Sequence, residues 1–509
     1  MNDFINGMKK ETNFTETENG AVAYKSTLNA CLDAFASLAA MKEANEDTII
    51  TTFSKALAED KALAMKLLFY VRDIRGGQGM RRVFRVILKY LAEHQPKLVI
   101  NNLDNILYFG RGDDYLCLLD TSCRKETSDF ILRQLIKDKD AKEHGEPCSL
   151  LPKWTPSVNA SSAETKRYAK MLIKDWGWSE KQYRKNLSEL RTYIDVVEKK
   201  MSAKEWNNIK YDTVPAKASM NYSDAFYKHD EAGYLKYIEK LASGNAKVNA
   251  ASLFPVDIVH KGLQYNLPHK DIVLLDAMWK SLPNYLEGKE ETGMCVVDVS
   301  GSMSGTPMEV AISLGMYCAD KCRGPFANHF ITFSDIPEFV EVQGKDIVDK
   351  VRNIENANWG FNTDLEAVFD LMLNVAIKNH CKPEDMPKKL YIISDMQFDQ
   401  ANSGFRGEPN KPFMQVMKQK YINAGYEMPI IVYWNVRASD CGMFQETFEG
   451  EQCAMVSGYS PVLFKAIIEG TTYEETVTDN GEVVVKEKLN PMDVMLNTLN
   501  SERYSCVKY

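Results

Sequence analysis

Three short strings of oxygen-bearing residues have the chemistry to bind a divalent cation. They are Asp298-Val299-Ser300-Gly301-Ser302, Gly360-Phe361-Asn362-Thr363-Asp364 and Ser394-Asp395-Met396. Ser300, Ser302 and Thr363 offer hydroxyl ligands, while Asp298 and Asp395 offer carboxylates that hold coordinated waters or bind directly. An all-oxygen set suits Mg²⁺ first, and also Mn²⁺ or Ca²⁺, rather than zinc. Because the direct ligands are neutral, such an ion still seeks an acidic group from a partner.

The region around these strings has the pattern of a doubly wound α/β domain. Apolar runs at 294–299 and 390–394 predict buried parallel strands, and further strands are predicted at 326–333, 339–342 and 429–434. Helices are predicted between them at 307–322, 364–378, 411–423 and 460–468. In an open sheet of this kind, ligands bind in the crevice outside the carboxyl ends of the strands. After residue 470, a hairpin with its turn at 479–481 and a helix from Pro491 are predicted.

Simpler interpretations of the same strings remain open. Ser300-Gly301-Ser302 is also a tight turn, and Asp395 is also a helix cap. The sequence gives less support to an enzyme. A haloacid-dehalogenase-type nucleophile needs a second Asp where Ser300 stands, a phosphate-binding loop needs a Lys after its glycine, and no nucleophile–base pair is visible. His329 lies in an apolar run and is predicted to be a core histidine.

The first half of the chain carries two basic helix faces. Arg81, Arg82, Arg85 and Lys89 have the spacing of one helix stripe, and Lys166, Arg167, Lys170 and Lys174 repeat it on a second helix. Arg72 and Arg75 flank the glycines just before the first stripe. Such stripes suit a phosphate backbone, although solvated helix faces have the same pattern. Neighbouring tryptophans such as Trp154 are predicted to lie in the core rather than to stack on bases.

These stripes belong to a region, residues 22–285, that is predicted to be helical throughout. Apolar residues recur at helical spacing over 62–74 and 80–91, and Gly76-Gly77 ends the first of these helices. Ser179 with Gln182 and Ser202 with Glu205 fit capping boxes. Amphipathic helices joined by short turns indicate an α-solenoid of HEAT type, although no clean repeat is present.

The metal-binding strings resemble the metal-ion-dependent adhesion site of von Willebrand factor A domains. All five positions, Asp298, Ser300, Ser302, Thr363 and Asp395, are present in the order of that family. The resemblance implies a Rossmann-like domain and a cation that grips the carboxylate of a protein partner.

Two strings in the helical half resemble the TROVE module of Ro autoantigen proteins. They are residues 72–79, which read Arg-Asp-Ile-Arg-Gly-Gly-Gln-Gly, and residues 108–114, which read Tyr-Phe-Gly-Arg-Gly-Asp-Asp. The strings Lys153-Trp154-Thr155-Pro156 and Ser202–Trp206 look closer to a sister group of Ro-like proteins. The resemblance implies a helical ring closed by the α/β domain, which binds structured non-coding RNA on its outer face and passes single-stranded RNA ends through its hole.

These observations predict four segments: a flexible N-terminus at 1–20, a HEAT-like TROVE-type helical domain at 21–288, a von Willebrand A-like domain at 289–470, and a hairpin and helix tail at 471–509.

Composition agrees with a folded chain, since 45% of the residues are hydrophobic and 26% are charged. The net charge is −8, but the first 290 residues hold 43 Lys and Arg against 39 Asp and Glu. The scattered cysteines and the absence of a secretory or membrane-spanning segment predict a cytoplasmic protein with reduced thiols.

Two functions of different classes follow. The first is a non-catalytic Ro-like RNA-binding protein that contacts RNA through Arg72, Arg75, Arg81, Arg82, Arg85, Lys89, Lys166, Arg167, Lys170 and Lys174. The second is a metal-dependent scaffold for protein partners that does not bind RNA. Neither involves a membrane, and no feature indicates specificity for DNA.

Overall fold

The computed structural model describes residues 7–8, 11–250, 252–287, 292–333, 337–355, 364–399, 413–439, 442–477 and 483–509. The chain forms two compact units. Residues 1–63 and 253–501 make up the first, here called the sheet unit, and residues 64–252 and 502–509 make up the second, called the helical unit. A helical region followed by a sheet domain confirms the predicted α plus α/β fold class, while closure into a ring stays a prediction.

Most of the described residues before 288 are helical. The α-helices there are α1 (Ala30–Phe35), α2 (Glu46–Glu59), α3 (Lys61–Arg72), α4 (Arg81–His94), α5 (Pro96–Asn101), α6 (Leu103–Phe109), α7 (Arg124–Glu143), α8 (Leu151–Trp154), α9 (Ala163–Trp176), α10 (Glu180–Tyr193), α11 (Val197–Ala203), α12 (Ala216–His229), α13 (Glu231–Ala242), α14 (Pro255–Gly262) and α15 (His269–Lys280). A 3₁₀-helix spans Gly112–Leu118.

The remaining helices alternate with strands. They are α16 (Thr306–Lys321), α17 (Ile347–Glu355), α18 (Leu365–Lys378), α19 (Phe413–Asn423), α20 (Val462–Gly470) and α21 (Pro491–Leu499). The strands are β1 (Phe14–Glu16), β2 (Val22–Tyr24), β3 (Gly293–Asp298), β4 (His329–Phe333), β5 (Glu338–Glu341), β6 (Lys389–Ser394), β7 (Ile430–Asn435), β8 (Cys453–Ser457), β9 (Thr472–Val477) and β10 (Val483–Lys488).

Helix α4 shows how the helical unit builds its core. Val83, Phe84, Ile87 and Leu91 lie on one side of the helix and are buried, as their spacing predicts. The glycines before α4 permit a tight approach of the chain, because a Cβ on Gly77 would lie 2.1 Å from the carbonyl oxygen of Tyr70. The predicted arginine and glycine string is therefore a packed connection between α3 and α4.

The capping predictions had different outcomes. Ser179 caps α10, and its capping box with Gln182 is confirmed. Ser202 does not begin a helix. It lies in the last turn of α11, where its hydroxyl donates to the carbonyl oxygen of Glu198, so the predicted second box was wrong.

The sheet unit is organised around a six-stranded mixed sheet with the order β5-β4-β3-β6-β7-β8. Only the β4–β5 pair is antiparallel, and the other pairs are parallel. The chain moves from β3 outward to β4 on one side and later returns to β6 on the other side. The boundary between β3 and β6 is thus the topological switch point of a doubly wound sheet, where such folds bind ligands.

The residues near both ends of the chain belong to the two compact units, whereas the sequence predicted separate terminal segments. Phe14–Glu16 pairs with Val22–Tyr24, and the Thr17 hydroxyl donates to the carbonyl oxygen of Phe398 over 2.7 Å, so this part of the predicted flexible N-terminus is built into the sheet unit. Strands β9 and β10 form the predicted hairpin, whose turn at 479–481 lies outside the described residues.

The residues after α21 belong to the helical unit. Arg503 forms an ion pair with the buried carboxylate of Asp73, and the Tyr504 hydroxyl donates to the same carboxylate over 3.1 Å. The amide of Asn102 donates to the carbonyl oxygen of Lys508 over 2.7 Å. These contacts make residues 502–509 an integral part of that unit.

No helix among the described residues combines the length and apolar character required to span a bilayer.

Candidate functional site

The sheet unit brings two of the predicted metal-binding strings together at the switch point. Asp298 is the last residue of β3 and Ser394 is the last residue of β6, and these strands are adjacent and parallel. The Ser394 hydroxyl donates to Oδ2 of Asp298 over 2.5 Å, which links the two strand ends directly. The sequence predicted this proximity because carboxyl ends of parallel strands meet at one edge of a sheet.

Asp298 is completely buried and lies close to a second carboxylate. Burial, followed by the negative charge of Asp395, raises the pKa of Asp298 to about 7. Hydrogen bonds from the Ser394 hydroxyl and from the backbone N–H of Ser300, 2.9 Å from Oδ1, oppose this rise. Two buried carboxylates that lie close together repel each other, so a bound cation would stabilise the ionised form of both.

The hydroxyls predicted as direct ligands lie beside these carboxylates. Oγ of Ser300 is 3.1 Å from Oγ of Ser302. Burial raises the pKa of Asp395, and the side-chain hydrogen bond with Ser302 opposes this rise. Asp298, Ser300, Ser302 and Asp395 thus form one oxygen-lined cluster, whereas Thr363 lies outside the described residues.

The oxygen-lined cluster fits a hard divalent cation by its donor chemistry. It supplies only hydroxyl and carboxylate oxygens, which Mg²⁺ prefers. No group of three or more His, Cys, Asp or Glu side chains suited to a metal occurs in the part of the chain that the structure describes. A site here would therefore depend on its serine hydroxyls and on ligands from water or a partner.

The sequence analysis missed two charged residues near this cluster. Arg437 follows β7, donates from its guanidinium to the carbonyl oxygen of Ser302, and its charge lowers the pKa of Asp395. Glu18 raises the pKa of Asp395, and its backbone N–H donates to Oε1 of Gln397 over 2.8 Å. The position of Arg437 just beyond a strand end was the available signal, whereas Glu18 is too distant in sequence to be found by spacing.

In the helical unit, two of the predicted RNA-binding arginines belong to a buried charge cluster. The Arg72 side chain is only 1% exposed, and its Nε donates to Oδ2 of Asp114 over 2.7 Å. Nε of Arg85 donates to Oδ1 of the same carboxylate over 2.7 Å. Arg72 cannot contact an RNA backbone from this interior position, which corrects its predicted role.

Asp113 and Arg111 complete this cluster at its outer side. Arg111 and Arg85 both pair with Asp113. Burial alone would raise the pKa of Asp113, but hydrogen bonds and charge from Arg111, together with Arg85, lower it to about 2. The guanidinium of Arg111 lies 4.0 Å from the ring centroid of Trp154, a cation–π contact. Trp154 therefore supports the charge cluster.

The other cations of the first stripe lie at the surface. Arg81, Arg82 and Lys89 of α4 are exposed, as is Arg75, whose guanidinium donates to the carbonyl oxygen of Tyr108 over 3.1 Å. Partial desolvation of the inner part of the Arg81 side chain, followed by the charge of Arg111, lowers the pKa of Arg81, and the charge of Asp113 opposes this effect. The nearby charge of Arg111 favours an external anion next to Arg81.

The second stripe on α9 approaches the first through one carboxylate. Arg167 pairs with Asp120 over 2.5 Å, and the Tyr168 hydroxyl donates to the same carboxylate over 2.8 Å. These contacts and the charge of Lys89 lower the pKa of Asp120 to about 2. Within the described residues, Lys166, Lys170 and Lys174 form no ion pair, so the two stripes together keep an excess of positive charge.

Comparisons with known proteins divide the chain between residues 291 and 292, near the place where helices give way to alternating strands and helices. A family model described as a domain of unknown function (DUF2828) matches residues 17–114 and 175–291. A second domain of unknown function (DUF7788) matches residues 292–499.

One relative matches nearly the whole chain. "Uncharacterized protein L728" of Acanthamoeba polyphaga mimivirus is 31% identical over 534 residues, which cover 96% of this chain and 87% of that protein. The chain belongs to the family of this mimivirus protein. Among solved structures, the crystal structure of the Deinococcus radiodurans RO (RSR) protein is similar at 12% identity, with a TM-score of 0.37 and coverage of 93% of both chains.

Proposed function

We propose that the protein binds structured or single-stranded non-coding RNA, without catalysis, through a basic surface formed by α4 and α9. The observation that carries this proposal is the set of exposed cations on α4 and α9, two helices whose Lys89 and Arg167 both act on Asp120. Among the described residues, no ion pair is formed by five of these cations: Arg81 and Lys89 on α4, and Lys166, Lys170 and Lys174 on α9. Lysine and arginine that are not neutralised within the protein are available to replace counterions on a phosphate backbone.

The Ro-like strings support this proposal only indirectly. Arg72 and Asp114, one from each string, form a buried ion pair that joins α3 to the 3₁₀-helix at Gly112–Leu118. The strings therefore maintain the helical unit, and the proposed RNA contacts come from the exposed cations that follow them.

Salt dependence tests the proposal. The purified full chain would be titrated with a structured RNA and an unstructured RNA at 50 and 200 mM salt, in filter-binding experiments. About five phosphate contacts, at a slope of about −0.7 per contact, predict a loss of affinity of about 100-fold over this range. Absence of binding at the lower salt concentration, or an affinity that does not change with salt, would contradict RNA binding through this surface.

The oxygen-lined cluster favours a second candidate function, a metal-dependent scaffold for protein partners. Asp298, Ser300, Ser302 and Asp395 would hold Mg²⁺, with Mn²⁺ or Ca²⁺ as substitutes, and the ion would supply Lewis acidity toward a carboxylate of the partner. The protein's own contribution is to position serine hydroxyls beside two buried carboxylates whose mutual repulsion a cation would relieve. This function does not require the basic surface.

Ser302→Ala tests the cation site. We expect Mg²⁺ to raise the melting temperature of the unmodified protein, and the substitution to weaken Mg²⁺ binding by at least about tenfold because one ligand is lost. Thermal unfolding measures the melting temperature, and calorimetric titration measures the Mg²⁺ affinity of the unmodified protein, of Ser302→Ala and of a control variant. Ser304→Ala is the matched control, since Ser304 is exposed in the same turn and its hydroxyl donates to the carbonyl oxygen of Gly301. Equal Mg²⁺ affinity in all three proteins would rule out the site.

A further inference from the structure

The helical unit contains a cleft that neither proposed function uses. It has a volume of about 620 Å³. Its wall is formed by the turn at Tyr211-Asp212, by one side of α13, and by the connection that follows this helix, Gly244–Lys247. The volume lies within the range typical of small-molecule sites.

Three lysines line this cleft. Lys236 and Lys240 are one helical turn apart on α13, and Lys247 comes from the connection after the helix. None of them forms an ion pair with a residue that the structure describes, and Asp212 is the carboxylate in the lining. Like charges at i and i+4 destabilise a helix in the absence of a counterion. The cleft therefore has an excess of positive charge that a bound anion would offset.

Tyr237 provides an independent indication of a ligand. It lines the same cleft, its side chain is 6% exposed, and its hydroxyl has no hydrogen-bond partner among the described residues. An unsatisfied buried hydroxyl costs free energy, which a hydrogen bond to a bound ligand would recover. Burial, together with the charge of Asp212, raises the pKa of Tyr237 to about 12, so the hydroxyl is a donor at neutral pH.

We propose that this cleft binds a small ligand bearing a pyrophosphate group, held by Lys236, Lys240 and Lys247 and by a hydrogen bond from Tyr237. Three ammonium groups match a multiply charged anion better than a single carboxylate, and lysine is a common phosphate ligand. The pyrophosphate is either free or carried on a nucleotide. The site shares no residue with the proposed RNA surface or with the oxygen-lined cluster, so it can be tested without either.

Calorimetric titration of the full chain with inorganic pyrophosphate, ATP and sulfate tests this site, with EDTA present to remove divalent cations. We expect saturable binding of pyrophosphate at least about tenfold tighter than binding of sulfate. Equal affinity for ATP and pyrophosphate would assign recognition to the pyrophosphate group alone, and tighter binding of ATP would assign it to a nucleotide. Both results support the site. No saturable binding of pyrophosphate or ATP would overturn it.

Two variants connect the binding to these residues. Lys236→Ala/Lys240→Ala should weaken pyrophosphate binding at least about tenfold. Tyr237→Phe should weaken it about fivefold and leave the melting temperature unchanged or higher, because the deleted hydroxyl has no partner to lose. Lys181→Ala/Lys228→Ala is the matched control, since it removes two exposed lysines of the same unit outside the cleft. A loss of affinity as large in the control as in the cleft variant would refute the proposal.

Discussion

Asp114→Asn is expected to lower the free energy of unfolding by about 3–5 kcal/mol, because it leaves a buried guanidinium without its counterion. Asp114 is completely buried and accepts hydrogen bonds from Nε of Arg72, from Nε of Arg85 and from the backbone N–H of Arg111. The amide keeps the shape of the side chain but removes its charge. Urea unfolding followed by circular dichroism measures the change.

Asp120→Asn provides the matched control for this substitution. Asp120 also pairs with an arginine, Arg167, but both side chains are at least 40% exposed. An exposed pair contributes about 0.2–1 kcal/mol, so the control should remain within about 1 kcal/mol of the unmodified protein. Similar losses in the two variants would mean that burial does not set the strength of the Arg72–Asp114 pair.

The second large effect is expected from reversing charge on the basic surface. Arg81→Glu/Lys89→Glu/Lys170→Glu should reduce RNA affinity by at least about 100-fold at 100 mM salt, and should reduce the salt slope by about 2. Three phosphate contacts are lost and three repulsions are added. Filter binding measures both quantities. Arg85 is left unchanged because its guanidinium pairs with Asp113 and Asp114, and its reversal would disturb the fold.

Control for net charge requires the same number of reversals elsewhere in the helical unit. Lys181→Glu/Lys210→Glu/Lys228→Glu changes exposed lysines outside α4 and α9. We expect the fold reduction in RNA affinity of this variant to be less than about one tenth of the fold reduction in the first variant, since distant exposed charges are screened. Equal losses in the two variants would mean that only net charge, and not this surface, governs RNA affinity.

Local patterns in the sequence were sufficient for much of the sheet unit. Asp298 and Asp395 could be paired in advance because apolar runs predict parallel strands, and parallel strands bring their carboxyl ends to one edge. The serine hydroxyls followed from their position two and four residues after Asp298. Thr363, which lies outside the described residues, stays a prediction.

The basic residues show where local patterns fail. Spacing correctly predicted the buried side of α4, but it placed Arg72 at a surface when its partner Asp114 is 42 residues away. A helical period shows which residues share a side, and it cannot show that a cation is neutralised by a distant carboxylate. For the same reason the sequence did not predict the cleft, because Tyr211 and Lys247, which both line it, are far apart in sequence.

The ion pair between Arg503 and Asp73 has a consequence for how the chain is made. The two residues are 430 positions apart, and the Asp73 carboxylate is completely buried in the finished molecule. At about 5–20 residues per second, a ribosome needs roughly 20–90 s to reach Arg503 after it has added Asp73. During that interval the nascent helical segment holds an acidic group whose cationic partner does not yet exist. The Arg503–Asp73 ion pair therefore cannot form until more than 400 residues have been added after Asp73, so this part of the helical unit is completed late in synthesis.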